Sequence, residues 1–336
     1  MAILTPFQTD GRIDFAALGD YLDLLAAAGV RSILVNGTTA EFASLTDTER
    51  RSVVEYCRGR WPGELITHIG STAIGEAIAL AHHAHDHADR LAAISPYFFA
   101  DAPETGVEQY FTDLITTTTL PVVLYNFPRH TQNPLSPDLV ARLAARFPQL
   151  CGIKASGKDR AITQAFKARC PHLQVFVGND RIGAQIAEIG VDGVVTGAGG
   201  PVAELPVAEL PVAIAAAARA GDQARADSLQ RNFDLYSNTR KSLPFTDIAF
   251  AKAALAQRLP GFPLTHAAAA VGHDGRTVST GSWLHARHHD RYPRLHLSRP
   301  TRPHSAASDL RRQLPITTST TACAISRKPL SRTVDR

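Results

Sequence analysis

Apolar and polar residues alternate along most of the chain in a way that predicts short buried strands separated by amphipathic helices. The segment from Asp14 to Ala28 places apolar residues at i, i+3, i+4 and i+7, and Gly29 ends that helix. A short β-branched run from Ser32 to Asn36 follows and predicts a strand. Thr46 and Glu49 then have the spacing of a capping box, which predicts the start of a second helix.

The order of strand, loop and helix recurs until about residue 220. The predicted strands are Ala2 to Pro6, Ser32 to Asn36, Leu65 to Ile69, Leu91 to Ser95, Pro121 to Tyr125, Leu150 to Lys154, Val175 to Gly178 and Gly193 to Thr196. Eight strands that alternate with helices predict an α/β protein with a (β/α)8 TIM barrel. A doubly wound open sheet is the alternative, but no glycine-rich turn follows the first strand, as such a fold usually requires.

Three regions follow from this pattern. Residues 1–220 are predicted to form the barrel, and residues 221–265 to form additional helices packed on it, from Gly221 to Thr239 and from Thr246 to Arg258. Residues 266–336 are rich in Arg, His, Ser, Thr and Pro and have no sustained period of 3.6 or 2. This composition predicts a disordered tail.

The formal net charge of +4 belongs to that tail. From His273 onward the chain has twelve Lys and Arg against four Asp, which leaves 23 basic and 27 acidic residues before it. The predicted barrel and helices are therefore mildly acidic. Because the basic tail has few aromatic residues for base stacking, we expect no nucleic-acid partner.

A five-residue repeat interrupts the regular pattern. Pro201 to Leu205 reads Pro-Val-Ala-Glu-Leu, and Pro206 to Leu210 repeats it. Five residues advance a helix by about 500°, and each copy brings a proline that is unfavourable inside a helix. We therefore predict that the first copy lies in a loop or a first turn, and that the helix begins at Pro206 or Pro211.

The cysteines and the apolar runs limit the choice of compartment. The four cysteines are far apart and form no CxxC pair, which argues against a disulfide framework and a zinc knuckle. No run reaches the roughly 18 apolar residues of a membrane span, and no secretory signal is recognisable at the start. The sequence predicts a cytoplasmic protein with no membrane partner.

Lys154 is the candidate catalytic residue at the end of a predicted strand. In a barrel of this type the active site lies at the carboxyl ends of the strands. Burial favours the neutral, nucleophilic form of an amine, and such an amine forms a Schiff base with the ketone of a 2-oxo acid. Tyr125 closes the preceding strand, and its phenol suits general acid and base catalysis.

Four short motifs at predicted strand ends resemble those of the dihydrodipicolinate synthase and N-acetylneuraminate lyase family. They are Gly37-Thr38-Thr39-Ala40-Glu41, Ser95-Pro96-Tyr97, Leu124-Tyr125-Asn126-Phe127-Pro128 and Gly152-Ile153-Lys154. The resemblance covers about residues 2–262. It implies a class I aldolase or lyase that uses a lysine Schiff base, acts on pyruvate or a 2-oxo-3-deoxy sugar acid, and needs no metal or organic cofactor. It also implies a homotetramer.

The turn of Thr38 and Thr39 offers hydroxyl and backbone N–H groups that suit a substrate carboxylate, and Thr39 is predicted to relay protons to Tyr125. Glu41 is predicted to have a structural role in the same turn. By resemblance, Gly178 and Val195 contact the substrate through backbone groups. The resemblance also places three further residues along the hydroxylated chain of a substrate, namely Ser156, Asp180 and Gly197.

Three departures from the family pattern affect the choice of substrate. Ala40 replaces a glycine in the turn, and Phe98 replaces a tyrosine that in synthases completes a proton relay in the neighbouring subunit. His130 stands where synthases have an arginine for the carboxylate of the second substrate. These changes favour a sugar-acid aldolase or dehydratase. The alternatives are a 4-hydroxy-tetrahydrodipicolinate synthase, which condenses pyruvate with aspartate semialdehyde, and a catalytically impaired ligand-binding relative.

A run of histidines invites comparison with a metal site. It consists of His82, His83, His85 and His87, on a predicted helix between two strands. No HExxH pattern accompanies the run, and it is far from the predicted strand ends. The sequence therefore predicts surface histidines and no metal.

Overall fold

Seven parallel strands form one sheet in which each strand pairs with the next along the chain. The computed structural model describes residues 1–197, 209–241 and 246–265. The strands are β1 (Ser32–Val35), β2 (Glu64–His68), β3 (Arg90–Ile94), β4 (Val122–Asn126), β5 (Leu150–Ala155), β6 (Gln174–Val177) and β7 (Gly193–Val194). Parallel strands in sequential order, with helices between them, are typical of a TIM barrel.

The segment after Met1 joins the two edges of the sheet. Ala2 N–H donates to the Thr196 carbonyl at 2.8 Å, just after β7, and Ile3 N–H donates to the Leu34 carbonyl of β1 at 3.1 Å. The prediction of a full strand from Ala2 to Pro6 is wrong in length, since only a bridge between Ala2 and Leu34 forms. Pro6 has no N–H to continue a ladder. The position of the predicted strand is correct, because this segment closes the barrel.

The described helices surround the sheet. They are α1 (Phe15–Ala27), α2 (Asp47–Arg60), α3 (Ile74–Ala84), α4 (Glu104–Thr116), α5 (Pro128–Thr131), α6 (Pro137–Arg146), α7 (Arg160–Arg169), α8 (Ile186–Ile189), α9 (Glu209–Arg219), α10 (Gln223–Lys241) and α11 (Asp247–Ala256). The predicted capping box of α2 is confirmed, because Thr46 and Glu49 exchange both of its hydrogen bonds. Ser136 caps α6, with Pro137 in the first helical position.

Apolar side chains on the two faces of the sheet form separate cores. Ile33 and Leu65 point outward and pack with residues of α1, α2 and α11, including Leu22, Val53 and Leu255. The next residue along each of these strands points inward. Leu34, Ile66, Ala92 and Val195 form a small cluster with Ala2 inside the barrel. This cluster fills the barrel interior and leaves its carboxyl end for polar side chains.

The C-terminal helices agree with the sequence. α10 and α11 cover most of the two predicted segments. α9 begins at Glu209, between the two positions predicted for its start, whereas the first copy of the repeat and the predicted tail over residues 266–336 lie outside the described residues. None of the helices described here is both long and apolar enough to cross a membrane.

Candidate active site

Lys154 and Tyr125 lie side by side at the carboxyl ends of neighbouring strands. The register of β4 and β5 pairs them directly, so both side chains point into the barrel. Lys154 is 8% exposed and Tyr125 is 1% exposed. The Lys154 Nζ atom lies 3.7 Å from the centroid of the Tyr125 ring. An amine and a phenol therefore share one largely buried chamber, where a carbonyl bound to the amine would lie beside a proton donor.

The turn after β1 brings a hydroxyl to this pair. Thr38 Oγ1 and the Tyr125 hydroxyl share a hydrogen bond of 3.2 Å. The predicted proton relay from Thr39 to Tyr125 therefore needs correction, since the hydroxyl that contacts Tyr125 belongs to Thr38. Thr39 points toward Gly197 instead, where a Cβ atom would lie 2.6 Å from Thr39 Oγ1. Residue spacing cannot distinguish two adjacent threonines that point in different directions.

The loops after β5 and β6 close in on Lys154 from the other side. Gly178 N–H donates to the Ala155 carbonyl, and Ser156 N–H donates to the Asn126 carbonyl, each at 2.8 Å. A Cβ atom at Gly178 would collide with Ser156 Oγ and would lie 3.4 Å from Lys154 Cε. The space beside Gly178 is therefore filled by Ser156 and bordered by Lys154, and it has no room for a side chain.

Val195 and Asp180 occupy the margins of this group. Val195 N–H donates to the Val177 carbonyl at 2.8 Å, and its side chain packs on the apolar cluster inside the barrel. Asp180 is the first residue of a 3₁₀ helix after β6, and its carbonyl accepts from Gln230 Nε2 at 3.1 Å. Asp180 does not cap this helix. Asn179 is the cap, because its side chain accepts the N–H of Arg181.

Glu41 has the structural role that the sequence predicts, but its partner could not be found from the motif. Glu41 ends the turn of Thr38 in the left-handed region, at φ 60°. Its carboxylate is buried and accepts a hydrogen bond from Lys252 Nζ of α11. Ala40, the departure from glycine, is buried at a negative φ and fits the turn. Only the fold brings Glu41 and Lys252 together.

His68 is a further residue that sequence reasoning missed. It ends β2 and lies one residue before the end of the predicted strand. Its ring contacts Phe42 and Tyr125 edge to face, with centroid distances of 4.4 and 6.0 Å. The side chain is 1% exposed, and the Asn36 backbone lies within reach of the ring. Burial, followed by the charges of Arg50 and Lys154, lowers the pKa of His68 well below its ordinary value. Burial therefore favours the neutral form of this imidazole.

An aromatic series leads from the chamber toward solvent. The Phe127 ring stacks on Tyr125 at 5.6 Å, and the His130 ring meets Phe127 edge to face at 4.3 Å. His130 is exposed on the short helix α5. Desolvation and the charge of Arg129 lower the pKa of His130. The position expected to hold an arginine thus carries a ring that protonates less readily than a free histidine.

The loop after β3 presents two aromatic side chains to solvent. Phe98 is 84% exposed at φ 78°, and Phe99 is 73% exposed, with the two rings 5.0 Å apart. Asn133 holds this loop, since its Nδ2 donates to the carbonyls of Pro96 and Phe99 and its Oδ1 accepts from Ala102 N–H. A positive φ is unfavourable for phenylalanine, and these hydrogen bonds stabilise the loop in that conformation.

Comparisons with known proteins identify the family of the chain. The sequence model of the Dihydrodipicolinate synthetase family matches residues 1–255. A probable 2-dehydro-3-deoxy-D-pentonate aldolase of Escherichia coli K12, YjhH, is 32% identical over 238 residues, which are 68% of this chain and 76% of that protein. The 4-hydroxy-tetrahydrodipicolinate synthase of Bacillus subtilis is 34% identical over 201 residues, 58% of this chain and 68% of that enzyme.

A solved structure supports the same relationship. The crystal structure of YagE, a prophage protein of the dihydrodipicolinic acid synthase family from Escherichia coli K12, was obtained in complex with pyruvate. It superposes with a TM-score of 0.74 at 27% sequence identity and covers 82% of this chain and 93% of YagE.

Proposed function

The chain belongs to the dihydrodipicolinate synthetase family of Schiff-base-forming lyases, and we propose that it acts as a class I aldolase on 2-oxo-3-deoxy sugar acids. One observation carries the proposal. The Lys154 Nζ atom lies over the ring of Tyr125, whose hydroxyl is bonded to Thr38. In this arrangement Lys154 would be the nucleophile, Tyr125 the proton donor and Thr38 the relay, and the three lie together at one end of the barrel.

The first step is covalent attack. The neutral Lys154 amine adds to the C2 ketone of the substrate and forms a carbinolamine. The Tyr125 phenol then protonates the carbinolamine hydroxyl, which leaves as water, and the C2–N bond becomes an iminium ion. Thr38 supplies the path by which Tyr125 exchanges its proton.

The second step breaks the C3–C4 bond. Tyr125, now a phenolate, accepts the proton of the C4 hydroxyl. The electron pair of the C3–C4 bond moves toward the iminium nitrogen, and an aldehyde leaves with a new C4 carbonyl. The Tyr125 phenol then donates its proton to C3 of the enamine, which regenerates the iminium ion. Water adds to C2, the C2–N bond breaks, and pyruvate and the free amine are released while Tyr125 takes back the proton that this hydrolysis sets free. The net reaction is the cleavage of one sugar acid into pyruvate and one aldehyde.

The other residues of the group would hold the substrate. Thr38 and Thr39 present hydroxyl and N–H groups to the carboxylate next to C2. Gly178 and Val195 contribute backbone groups, and Ser156 and Asp180 lie where the hydroxylated chain beyond C3 would extend. These assignments require no metal ion or organic cofactor, because the iminium nitrogen itself accepts the electrons.

His130 and Phe98 favour a sugar acid over aspartate semialdehyde. A carboxylate on the second substrate is best bound by the bidentate fork of an arginine, and by family resemblance His130 stands at that position. Phe98 has no hydroxyl to contribute to a proton relay. The name of YjhH, a relative at 32% identity, supports the same class of substrate.

We also propose a homo-oligomer, a tetramer by family resemblance. The exposed pair of Phe98 and Phe99 is the described feature that supports it, since rigidly held aromatic side chains on a surface are typical of a protein contact.

Reductive trapping tests the proposal. The full chain is incubated with pyruvate and borohydride, and the adduct is located by mass spectrometry after proteolysis. We expect one adduct on Lys154 that is absent from Lys154→Ala. If neither pyruvate nor any other 2-oxo acid leaves an adduct, the chain is an impaired relative and the proposal is wrong.

A substrate panel then tests the reaction. Pyruvate release is followed from 2-oxo-3-deoxy acids of five and six carbons, and condensation is followed with pyruvate and aspartate semialdehyde. We expect cleavage of at least one sugar acid. Turnover of aspartate semialdehyde alone would identify a synthase instead.

A further inference from the structure

The outer surface carries a cluster of metal-ligating side chains that the reaction does not use. Glu55 lies on α2, and His83 and His87 lie at the end of α3 and in the turn that follows. One ligand atom from each residue lies within 4.8 Å of those of the other two. We propose that Glu55, His83 and His87 form a binding site for a divalent transition-metal ion of the zinc type, which links α2 to α3.

The three side chains are already assembled. Glu55 Oε1 and His83 Nε2 are hydrogen-bonded at 2.7 Å. The rings of His83 and His87 are 4.7 Å apart, with an angle of 34° between their planes. Residues four apart meet on one side of a helix, which accounts for the proximity of the two imidazoles. The site thus needs little rearrangement to receive an ion.

The geometry requires only a small adjustment. Tetrahedral zinc with bonds of about 2.0–2.2 Å separates neighbouring ligand atoms by about 3.4 Å. Glu55 Oε1 and His83 Nε2, which are 2.7 Å apart, must therefore separate by less than about 1 Å, and ligand atoms that lie as much as 4.8 Å apart must approach by up to about 1.4 Å. The Glu55 side chain is 53% exposed and has room for this movement, whereas His83 is 12% exposed and is held in place.

The donor set selects the class of ion. Two imidazole nitrogens and one carboxylate suit zinc and the neighbouring transition metals, whereas calcium and magnesium prefer an all-oxygen set. Since Glu55 is exposed, water completes the coordination.

The position separates this ion from catalysis. In a parallel barrel each helix that follows a strand begins near the catalytic face and ends near the opposite one. His83 and His87 lie at the end of α3, so the site is on the face away from Lys154. We infer that the ion stabilises the pair of helices and has no part in the reaction.

The sequence showed only two of the three ligands of the site. His83 and His87 are four residues apart, a spacing that two metal ligands on a helix can have. Two histidines without a third ligand are more often surface residues. The third ligand is 28 residues earlier, on a different helix. The prediction of no metal rested on the histidine run alone.

Calorimetric titration with zinc chloride tests the site. The full chain is stripped with a chelator and compared with Glu55→Gln, His87→Ala and the control His82→Ala, which removes an exposed histidine from the same helix. Loss of a ligand should weaken zinc binding by roughly tenfold or more, since even changes outside the ligand set commonly do so. His82→Ala should bind like the parent chain.

Thermal unfolding supplies a second readout. Zinc should raise the midpoint temperature of unfolding of the parent chain and of His82→Ala. It should leave the midpoint temperatures of Glu55→Gln and His87→Ala unchanged, because a ligand stabilises only a fold that binds it. Each variant is first compared without zinc to show that it folds.

Two results would overturn the proposal: no zinc binding by the parent chain, or equal binding by all four proteins, which would place the ion on other histidines. Trapping of pyruvate on Lys154 is independent of zinc in either case, so failure here is distinguishable from failure of the proposed function.

Discussion

Lys252 donates a buried hydrogen bond of 2.5 Å to Glu41, although 211 residues separate the two in the chain. The same ammonium donates to the Thr265 carbonyl at 2.8 Å and lies 4.6 Å from the centre of the Phe7 ring. Burial lowers the pKa of Lys252, and the Glu41 carboxylate opposes this shift. Because Glu41 ends the turn of Thr38, a C-terminal helix holds one wall of the candidate active site.

Replacing Lys252 with methionine should destabilise the protein strongly. The side chain keeps its volume, but the Glu41 carboxylate is left buried without this cation, which typically costs about 3–5 kcal/mol. Urea unfolding measures the loss. The double variant Lys252→Met with Glu41→Gln should recover much of it, and Arg169→Met, which breaks an exposed ion pair with Asp138, should have little effect. Equal effects of Lys252→Met and Arg169→Met would contradict this view of the pair.

His68 should make stability dependent on pH. In the unfolded chain its pKa is about 6.5, and in the folded chain it is well below that value. As the pH falls below about 6.5, the unfolded state binds a proton that the folded state does not, so the free energy of unfolding decreases, by at most about 1.4 kcal/mol per pH unit. The contribution is fully present above that pH.

Urea unfolding between about pH 7.5 and pH 5 measures this dependence. His68→Gln cannot be protonated, so its stability should fall less steeply than that of the parent chain over the same range. His172→Gln, which replaces an exposed histidine, should follow the parent chain. An unchanged slope in His68→Gln would mean that the imidazole is not held neutral in the fold.

Tyr125→Phe should separate ring packing from proton transfer. The ring beneath Lys154 is kept and the hydroxyl is lost, so we expect turnover to fall by roughly 10²–10⁴ with a smaller change in KM. Thr38→Val should lower turnover less than Tyr125→Phe does. In a chain that already carries Tyr125→Phe it should cause little further loss of turnover, because the two hydroxyls act as one unit.

Steady-state kinetics on the sugar acid identified by the panel provides the measurement. Tyr56→Phe, on the outside of the barrel against Phe15, is the control and should keep full activity. If Tyr125→Phe keeps its turnover, another group transfers the proton.

Gly178→Ala should block the chamber without unfolding the protein. The added methyl group would collide with Ser156 Oγ and press on Lys154 Cε at 3.4 Å. We expect the pyruvate adduct to form much more slowly, while the circular dichroism spectrum stays unchanged. Gly75→Ala is the matched control, since a Cβ atom there meets no neighbour within 4 Å, and alanine in a helix should stabilise slightly. Normal trapping in Gly178→Ala would show that the close approach of Ser156 is not needed.

Phe98→Ser should weaken self-association. It removes an apolar side chain that is 84% exposed, and serine has no ring to bury in a partner. Sedimentation velocity at several concentrations should show smaller species than for the parent chain. Ile162→Ser, at a second exposed apolar position on α7, should leave the distribution unchanged. A parent chain that sediments as a monomer would refute the oligomer itself.

The local features of the fold were readable from the sequence because they depend on neighbouring residues. Helical periodicity and the caps at Thr46 and Ser136 act within a few positions, and they placed the helices close to their observed bounds. The strand ends led directly to Lys154 and Tyr125, since a barrel brings the ends of its strands to one face.

The tertiary structure alone decided which side chains meet. Thr38 rather than Thr39 reaches Tyr125, Lys252 reaches Glu41, and Glu55 joins two histidines of another helix. Packing of the whole barrel decides side-chain direction in an irregular turn and contacts between distant segments. Residue spacing along the chain specifies neither of them. The sequence thus determined the fold and the candidate nucleophile, and the packed barrel determined the partners of each candidate site residue.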